Sequence, residues 1–119
     1  MINPRIIDWN KCEEEFIRYV DEDSQRITSI IQKARQRLEI IDSITFSEET
    51  ISFIVENYYE VIKELLLAYL LKARMRSRNH QCLISYFLQK NPNHETEATI
   101  IAQMSYYRNR LIITEKVSL

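Results

Sequence analysis

The sequence predicts an all-α protein, a single domain over residues 1–119 built as an up-down antiparallel bundle of four or five helices. Two observations carry this prediction. The chain has no glycine and only two prolines, so phosphate loops and tight turns that require positive φ have no residue that adopts them easily. Apolar residues recur every three to four positions over most of the chain, which is the period of an amphipathic helix. Short connections between such helices favour antiparallel neighbours.

The first two helices follow from this spacing and from the residues that can cap them. The first is predicted from an N-cap at Asp8 to Ile41, because an aspartate accepts hydrogen bonds from the free N–H groups of a first turn. The second starts at Ser47, which precedes two glutamates that favour a helix N-terminus. Its apolar residues continue to about position 70.

A basic stretch, residues 72–80, then interrupts the pattern. A short third helix follows around Leu83 and Phe87. Pro92 marks a turn, because proline disfavours helix in the residue before it. The last helix is predicted from about Glu95 to Arg110 or a little beyond.

Composition limits the class of protein and its location. Hydrophobic residues make up 45 % of the chain and charged residues 28 %, as in globular proteins. No apolar run approaches the roughly 18 residues that span a bilayer, and the N-terminus lacks the features of a signal peptide. We therefore expect a cytoplasmic protein that uses no membrane, metal or cofactor. Cys12 and Cys82 are too few and too far apart for a disulfide framework or zinc motif, so reduced, buried cysteines are expected.

The second helix carries an apolar stripe beyond the one that a bundle core needs. Tyr59, Leu66 and Leu70 form this stripe, about a quarter-turn round from the main face. Neighbouring helices of the same subunit could cover it. Alternatively, it is the interface of a homodimer, since small helical domains often assemble with two-fold symmetry.

Charge is distributed unevenly along the chain. Residues 1–71 hold 8 Lys/Arg and 14 Asp/Glu, whereas residues 72–119 hold 8 and 3. Arg76 and Arg78, with His80 beside them, lie in the basic connection between the second and third helices. One interpretation is a solvated loop whose charges favour the C-terminal end of the second helix. The other is a phosphate-binding patch.

The segment SYYRNRLIITEK, residues 105–116, combines aromatic and basic residues on the last helix. Helical spacing places Arg108 between Met104 and Ile112, in the middle of the apolar face. An arginine on such a face needs a partner, since burial of an unpaired charge is unfavourable. It either pairs with a core carboxylate or reaches the bundle end, or it lines a polar crevice for a phosphate or a partner subunit.

Two segments resemble the HEPN (higher eukaryotes and prokaryotes nucleotide-binding) family. They are YYEVIKELLLAYLLKARMRSRNHQCLISYF at residues 58–87 and YYRNRLIIT at residues 106–114. The likeness covers about residues 50–116. It implies a four- or five-helix bundle, often homodimeric, in toxin–antitoxin or defence systems and frequently beside a minimal nucleotidyltransferase.

Catalytic members of that family are metal-independent ribonucleases. Their motif has an arginine, a polar residue and then a histidine four to six positions after the arginine. Arg108 and Asn109 match the first two elements, but positions 112–114 are Ile, Ile and Thr. Threonine cannot act as a general base near neutral pH, and His80 is more simply a structural residue.

These observations lead to three hypotheses about function. The first is a noncatalytic HEPN-like protein that binds a nucleotide, RNA or a nucleotidyltransferase through Arg108, Asn109, Tyr106 and Tyr107, because tyrosines can stack on bases. The second is a weak or atypical metal-independent ribonuclease in which His80 or a tyrosine transfers the proton. The third is a structural helical dimerisation module that uses the apolar stripe of the second helix.

Overall fold

The computed structural model describes the backbone of residues 5–117 and the side chains of residues 5–109. Within this range the chain is mostly helical, so the all-α prediction is confirmed at that level, and a small two-stranded sheet is added to it. No described helix is both long and apolar enough to cross a bilayer. The elements in chain order are α1 (Trp9–Glu15), β1 (Ile17–Tyr19), α2 (Ser24–Asp42), α3 (Ile51–Lys72), β2 (Met75–Ser77), α4 (Gln81–Lys90), a 3-10 turn (Pro92–His94) and α5 (Glu95–Val117).

The prediction of one uninterrupted first helix is wrong, because a strand forms in its middle. Asp8 does cap a helix, since its carboxylate accepts a hydrogen bond of 3.0 Å from the backbone N–H of Asn10, but α1 ends at Glu15. Residues 17–19 then pair antiparallel with residues 75–77. α2 begins after a second aspartate cap, where Asp23 accepts from the N–H of Arg26 at 3.0 Å.

The turn from α3 into β2 contains a left-handed residue, and because the chain has no glycine this residue is an arginine. Arg74 occupies the left-handed region there, with a φ of 62°. Its N–H donates to the carbonyl of Leu71 (2.8 Å), while its own carbonyl accepts from the N–H of Val20 (2.9 Å). A left-handed conformation is unfavourable by about 1–2 kcal/mol for a residue with a Cβ. These backbone hydrogen bonds hold it in place and join the end of α3 to β1.

α3 is the central helix because it packs against neighbours on two sides. α2 runs antiparallel to it, and their shared core consists of Ala34, Ile41, Ile54 and Val61. On its other side a second core surrounds Leu70, which is fully buried among residues of β2, α4 and α5. Both cores therefore depend on the position of α3.

Cys12 of α1 and Cys82 of α4 form a disulfide across 70 residues of sequence. The expectation of reduced cysteines is therefore wrong, although both side chains are buried as expected. Because α1 packs on α4, the two Cα atoms lie 5.7 Å apart, within the range of about 4.4–6.8 Å that a disulfide spans. Disulfides persist mainly in oxidising compartments, so the cysteines no longer support a cytoplasmic location, which stays a prediction.

Removing the disulfide should destabilise the fold. Replacing Cys12 and Cys82 together by alanine should lower the free energy of unfolding by about 2–5 kcal/mol, because the bond restricts the unfolded chain over a long loop. Urea denaturation measures this, with reduced wild type as a second sample. Reductant should leave the double variant unchanged. Equal urea midpoints for oxidised wild type and the double variant would show that the bond does not form in solution.

Candidate functional site

A cavity of about 220 Å³ lies between the N-terminal half of α3 and the middle of α5. The residues that α5 contributes lie three or four positions apart, so they occupy one face of that helix. The apolar part of the wall is formed by Val55, Tyr59, Ile100 and Met104. The polar part is formed by Glu56, Gln103, Tyr107 and Arg108.

Arg108 joins α5 to α3 at the wall of this cavity. Its Nη2 donates to Oε1 of Glu60 at 2.6 Å, and its guanidinium lies 5.6 Å from the centre of the Tyr59 ring. Glu60 also accepts from Nζ of Lys63 at 3.0–3.1 Å. Arg108 thus pairs with a carboxylate of a facing helix, as the first alternative expects, and it also lines the cavity, whose use by a phosphate or a partner subunit stays a prediction.

The charge of Arg108 is compensated but its hydrogen bonding is incomplete. Both side chains of the pair are mostly buried, with 25 % of Arg108 and 18 % of Glu60 exposed. Nε of Arg108 is buried and has no hydrogen-bond partner among the described residues. An ion pair in so little solvent is much less screened than one on the surface. Arg108 therefore contributes a planar, charge-compensated guanidinium to the cavity wall, and its unpartnered Nε is buried rather than exposed to a ligand.

The residues next to Arg108 separate into those at the cavity and those outside it. Tyr107 is half-exposed and lines the cavity, and its ring meets that of Tyr106 edge to face, with centroids 5.6 Å apart. Asn109 is exposed and does not line it. Positions 112–114, where the resemblance expects a histidine, lie outside the residues whose side chains are described.

His80 is exposed at the start of α4, where its side chain makes no capping hydrogen bond. The next residue, Gln81, donates from Nε2 to Oγ of Ser105 at 3.2 Å. This contact places the start of α4 beside α5, about one turn before Arg108. His80 nevertheless does not line the cavity.

Arg76 and Arg78 belong to a different surface from Arg108. Both lie on or beside β2, and Nη2 of Arg78 donates to the backbone carbonyl of Glu15 at 2.8 Å. Neither arginine lines the α3–α5 cavity. Of the predicted binding residues, Tyr107 and Arg108 therefore line the cavity, Arg76 and Arg78 belong to the ribbon of β1 and β2, and Tyr106, Asn109 and His80 belong to neither.

The dimer-interface prediction for Tyr59, Leu66 and Leu70 does not fit the structure. These side chains are only 6, 9 and 0 % exposed within a single chain. The reason is that α4 and α5 cover this side of α3, which was the other alternative for the stripe. Tyr59 instead becomes part of the cavity wall.

Sequence reasoning missed the acidic half of the site. Glu60 holds Arg108, and Glu56, one turn earlier on α3, lines the cavity. The available signal was that an arginine on an apolar face requires a carboxylate on a facing helix. Several glutamates of α3 met that requirement, and only the packing of α5 selects Glu60.

Two tyrosines outside the cavity have perturbed acidities. The phenol of Tyr58 donates to the Asp42 carboxylate at 2.7 Å, and this hydrogen bond raises the pKa of Tyr58, with desolvation adding to it. Burial raises the pKa of Tyr86, and the nearby Tyr69 adds to the effect. Neither group lines the cavity, and no cluster of metal-binding side chains occurs among residues 5–109.

Comparison of the chain with protein-family models, with curated proteins and with solved structures gave no match.

Breaking the pair between α5 and α3 should destabilise the protein. Arg108→Met keeps the length of the side chain but leaves Glu60 half-buried beside Lys63 alone, so the free energy of unfolding should fall by about 1–3 kcal/mol. Urea denaturation of this variant, of Glu60→Gln and of the double variant gives the coupling energy, expected at about 0.5 kcal/mol or more.

The exposed Asn109→Ala on the same helix is the control and should change stability by less than about 0.5 kcal/mol. Strict additivity of Arg108→Met and Glu60→Gln would show that the two residues are not paired in solution.

Proposed function

We propose that this chain is a noncatalytic, HEPN-like binding protein whose α3–α5 cavity takes the base of a nucleotide or of RNA. The observation that carries the proposal is the composition of the wall: an apolar body with an aromatic ring and a guanidinium, bordered by carboxylate and amide groups. Apolar and aromatic surfaces with a few placed polar groups are the common form of a ligand site.

The size of the cavity favours one ring system over a whole nucleotide. Its 220 Å³ is below the roughly 300–1,000 Å³ of typical ligand sites, so ribose and phosphate would remain outside. Gln103 and Glu56 supply donors and acceptors for a base edge, and the partly exposed Tyr107 supplies a stacking surface at the mouth.

The noncatalytic part of the proposal rests on the identity of the wall residues. Metal-independent RNA cleavage benefits from a general acid and base with a pKa near neutrality, and the eight described residues of the wall include no histidine. Arg108 is already held by Glu60, which suits a positioning role more than stabilisation of developing charge. The toxin–antitoxin setting and a nucleotidyltransferase partner follow from the resemblance and belong to the same proposal.

Filling the cavity should weaken nucleotide binding. Ile100 lines it and is 50 % exposed, so Ile100→Trp can occupy the cavity mouth without entering the core. Calorimetric titration with ATP should show affinity reduced about tenfold or more, a loss of roughly 1.4 kcal/mol. Phe53→Trp is the matched control, because Phe53 is 53 % exposed on α3 outside the cavity and should leave affinity unchanged.

Equal ATP affinity in wild type, Ile100→Trp and Phe53→Trp would contradict the cavity assignment. A separate assay with labelled RNA tests the noncatalytic part. Cleavage by wild type that disappears in both Arg108→Ala and His80→Ala would replace it with the ribonuclease hypothesis.

A further inference from the structure

The ribbon of β1 and β2 sets two arginines directly opposite each other. In its antiparallel register Arg18 faces Arg76, and such cross-strand neighbours share one face with their Cβ atoms about 4.5–5.5 Å apart. Like charges in this arrangement destabilise a sheet. Neither guanidinium is ion-paired with a carboxylate within residues 5–109. No ion pair among the described residues therefore offsets the repulsion between Arg18 and Arg76.

The alternation of the strands turns these two arginines outward. Met75 is buried and Ile17 packs against the same core, so these two positions of the ribbon face inward, whereas Tyr19 at the end of β1 is 71 % exposed. Side chains on adjacent strand positions point to opposite faces. Arg18 is exposed accordingly, and Arg76 is partly exposed.

Two further arginines extend the positive charge to both ends of β2. Arg74 precedes the strand and Arg78 follows it. Arg78 donates to a backbone carbonyl, which leaves its charge uncompensated, and Arg74 reaches the exposed carboxylate of Asp21 only at 4.0 Å. We call Arg18 and Arg76, with Arg74 and Arg78 at the ends, the arginine face.

The arginine face is narrow and firmly held. Exposed carboxylates border β1 in sequence on both sides, at residues 13–15 and 21–23, so the positive charge of the arginine face lies between acidic segments of the chain. The Cys12–Cys82 disulfide joins α1, which leads into β1, to α4, which follows β2. A covalent tie at this end pre-organises the ribbon, which lowers the ordering cost of binding.

We propose that the arginine face binds the phosphodiester backbone of single-stranded nucleic acid, with Arg18 and Arg76 contacting phosphates. Two guanidinium groups on one side of a ribbon offer several N–H donors in planar sets that match phosphate oxygens. The acidic borders favour one flexible strand over a duplex, whose second strand would approach carboxylates. This inference deepens the proposed function, on which it rests for the class of ligand, but it stands on separate residues.

Binding of labelled oligo(U) to the oxidised protein, followed by anisotropy at several salt concentrations, tests the arginine face. Arg18→Gln/Arg76→Gln should weaken binding about tenfold and reduce the slope of log K against log salt by about 1.4, since each phosphate contact on a single strand contributes about 0.7. Arg26→Gln/Arg35→Gln, two exposed positions on α2, removes the same charge and should change affinity less than about twofold.

A melting temperature separates loss of binding from loss of fold. Because the Arg18–Arg76 contact is repulsive, the ribbon variant should melt at or above the wild-type temperature. Unchanged RNA affinity and slope in that variant, or no RNA binding by wild type, would overturn the inference. So would competition by poly-glutamate as strong as that by unlabelled RNA, because it would show no preference for phosphates over carboxylates.

ATP titration distinguishes this inference from the proposed function. The ribbon variant should keep the ATP affinity of wild type, and Ile100→Trp should keep the salt slope for RNA. Loss of RNA binding in the ribbon variant without any ATP binding by wild type would uphold the arginine face and refute the cavity proposal. If wild type binds ATP, and wild type and ribbon variant bind RNA with equal affinity, the cavity proposal would be upheld and the arginine face refuted.

Discussion

The architecture depends on the double-sided burial of α3. A helix covered on two sides has no solvent face wide enough for all its charged residues, so those near the contacts need partners from the neighbouring helices. Glu64 meets Arg37 of α2 at 3.1 Å, and Glu60 meets Arg108 of α5 at 2.6 Å. α2 and α5 are thus each fixed to α3 by one arginine as well as by apolar packing.

The two pairs differ in what surrounds them. Arg37 also donates to the side-chain oxygen of Asn57 at 3.0 Å, which adds a second contact on α3. Arg108 has the ring of Tyr59 and a cavity beside it instead. Because the space next to Arg108 is not filled by another side chain of the described chain, the α3–α5 contact is the place where fixing a helix and binding a ligand can share residues.

Apolar periodicity is a local pattern, so it predicted helices but did not predict pairings between segments that are far apart in sequence. α3, α4 and α5 were recognised from spacing, and Arg108 was singled out because a cation on an apolar face demands an explanation. β1 was not recognised, because Phe16 and Val20 lie four positions apart, which is a helical spacing. Its pairing partner is also distant in sequence, since Arg76 lies 58 positions after Arg18. The disulfide was missed for the same reason. No local pattern shows that α1 packs on α4.

The candidate site was half predictable for a related physical reason. Sequence identified a cation and aromatic residues on α5, but the carboxylate that pairs with Arg108 depends on how α5 crosses α3. The sequence leaves the basic connection as either a solvated loop or a phosphate-binding patch, and neither interpretation includes a strand. Because residues 75–77 form a strand, Arg76 takes the outward position in β2, and Arg18 is the residue that faces it in β1.

The sequence has an acidic first part and a basic second part, but in the fold some of these charges pair with each other and others do not. Part of the acidic excess of residues 1–71 is used inside the molecule, where Glu60 neutralises Arg108. Arginines beside β2 are compensated less, because Arg74 reaches Asp21 only at 4.0 Å and Arg78 donates to a backbone carbonyl. A ligand at the cavity would meet apolar surface and a balanced ion pair, so its affinity should vary little with salt, whereas a ligand at the arginine face would release counterions. A ligand affinity that falls with salt therefore indicates binding at the arginine face, and an affinity that does not change with salt indicates binding at the cavity.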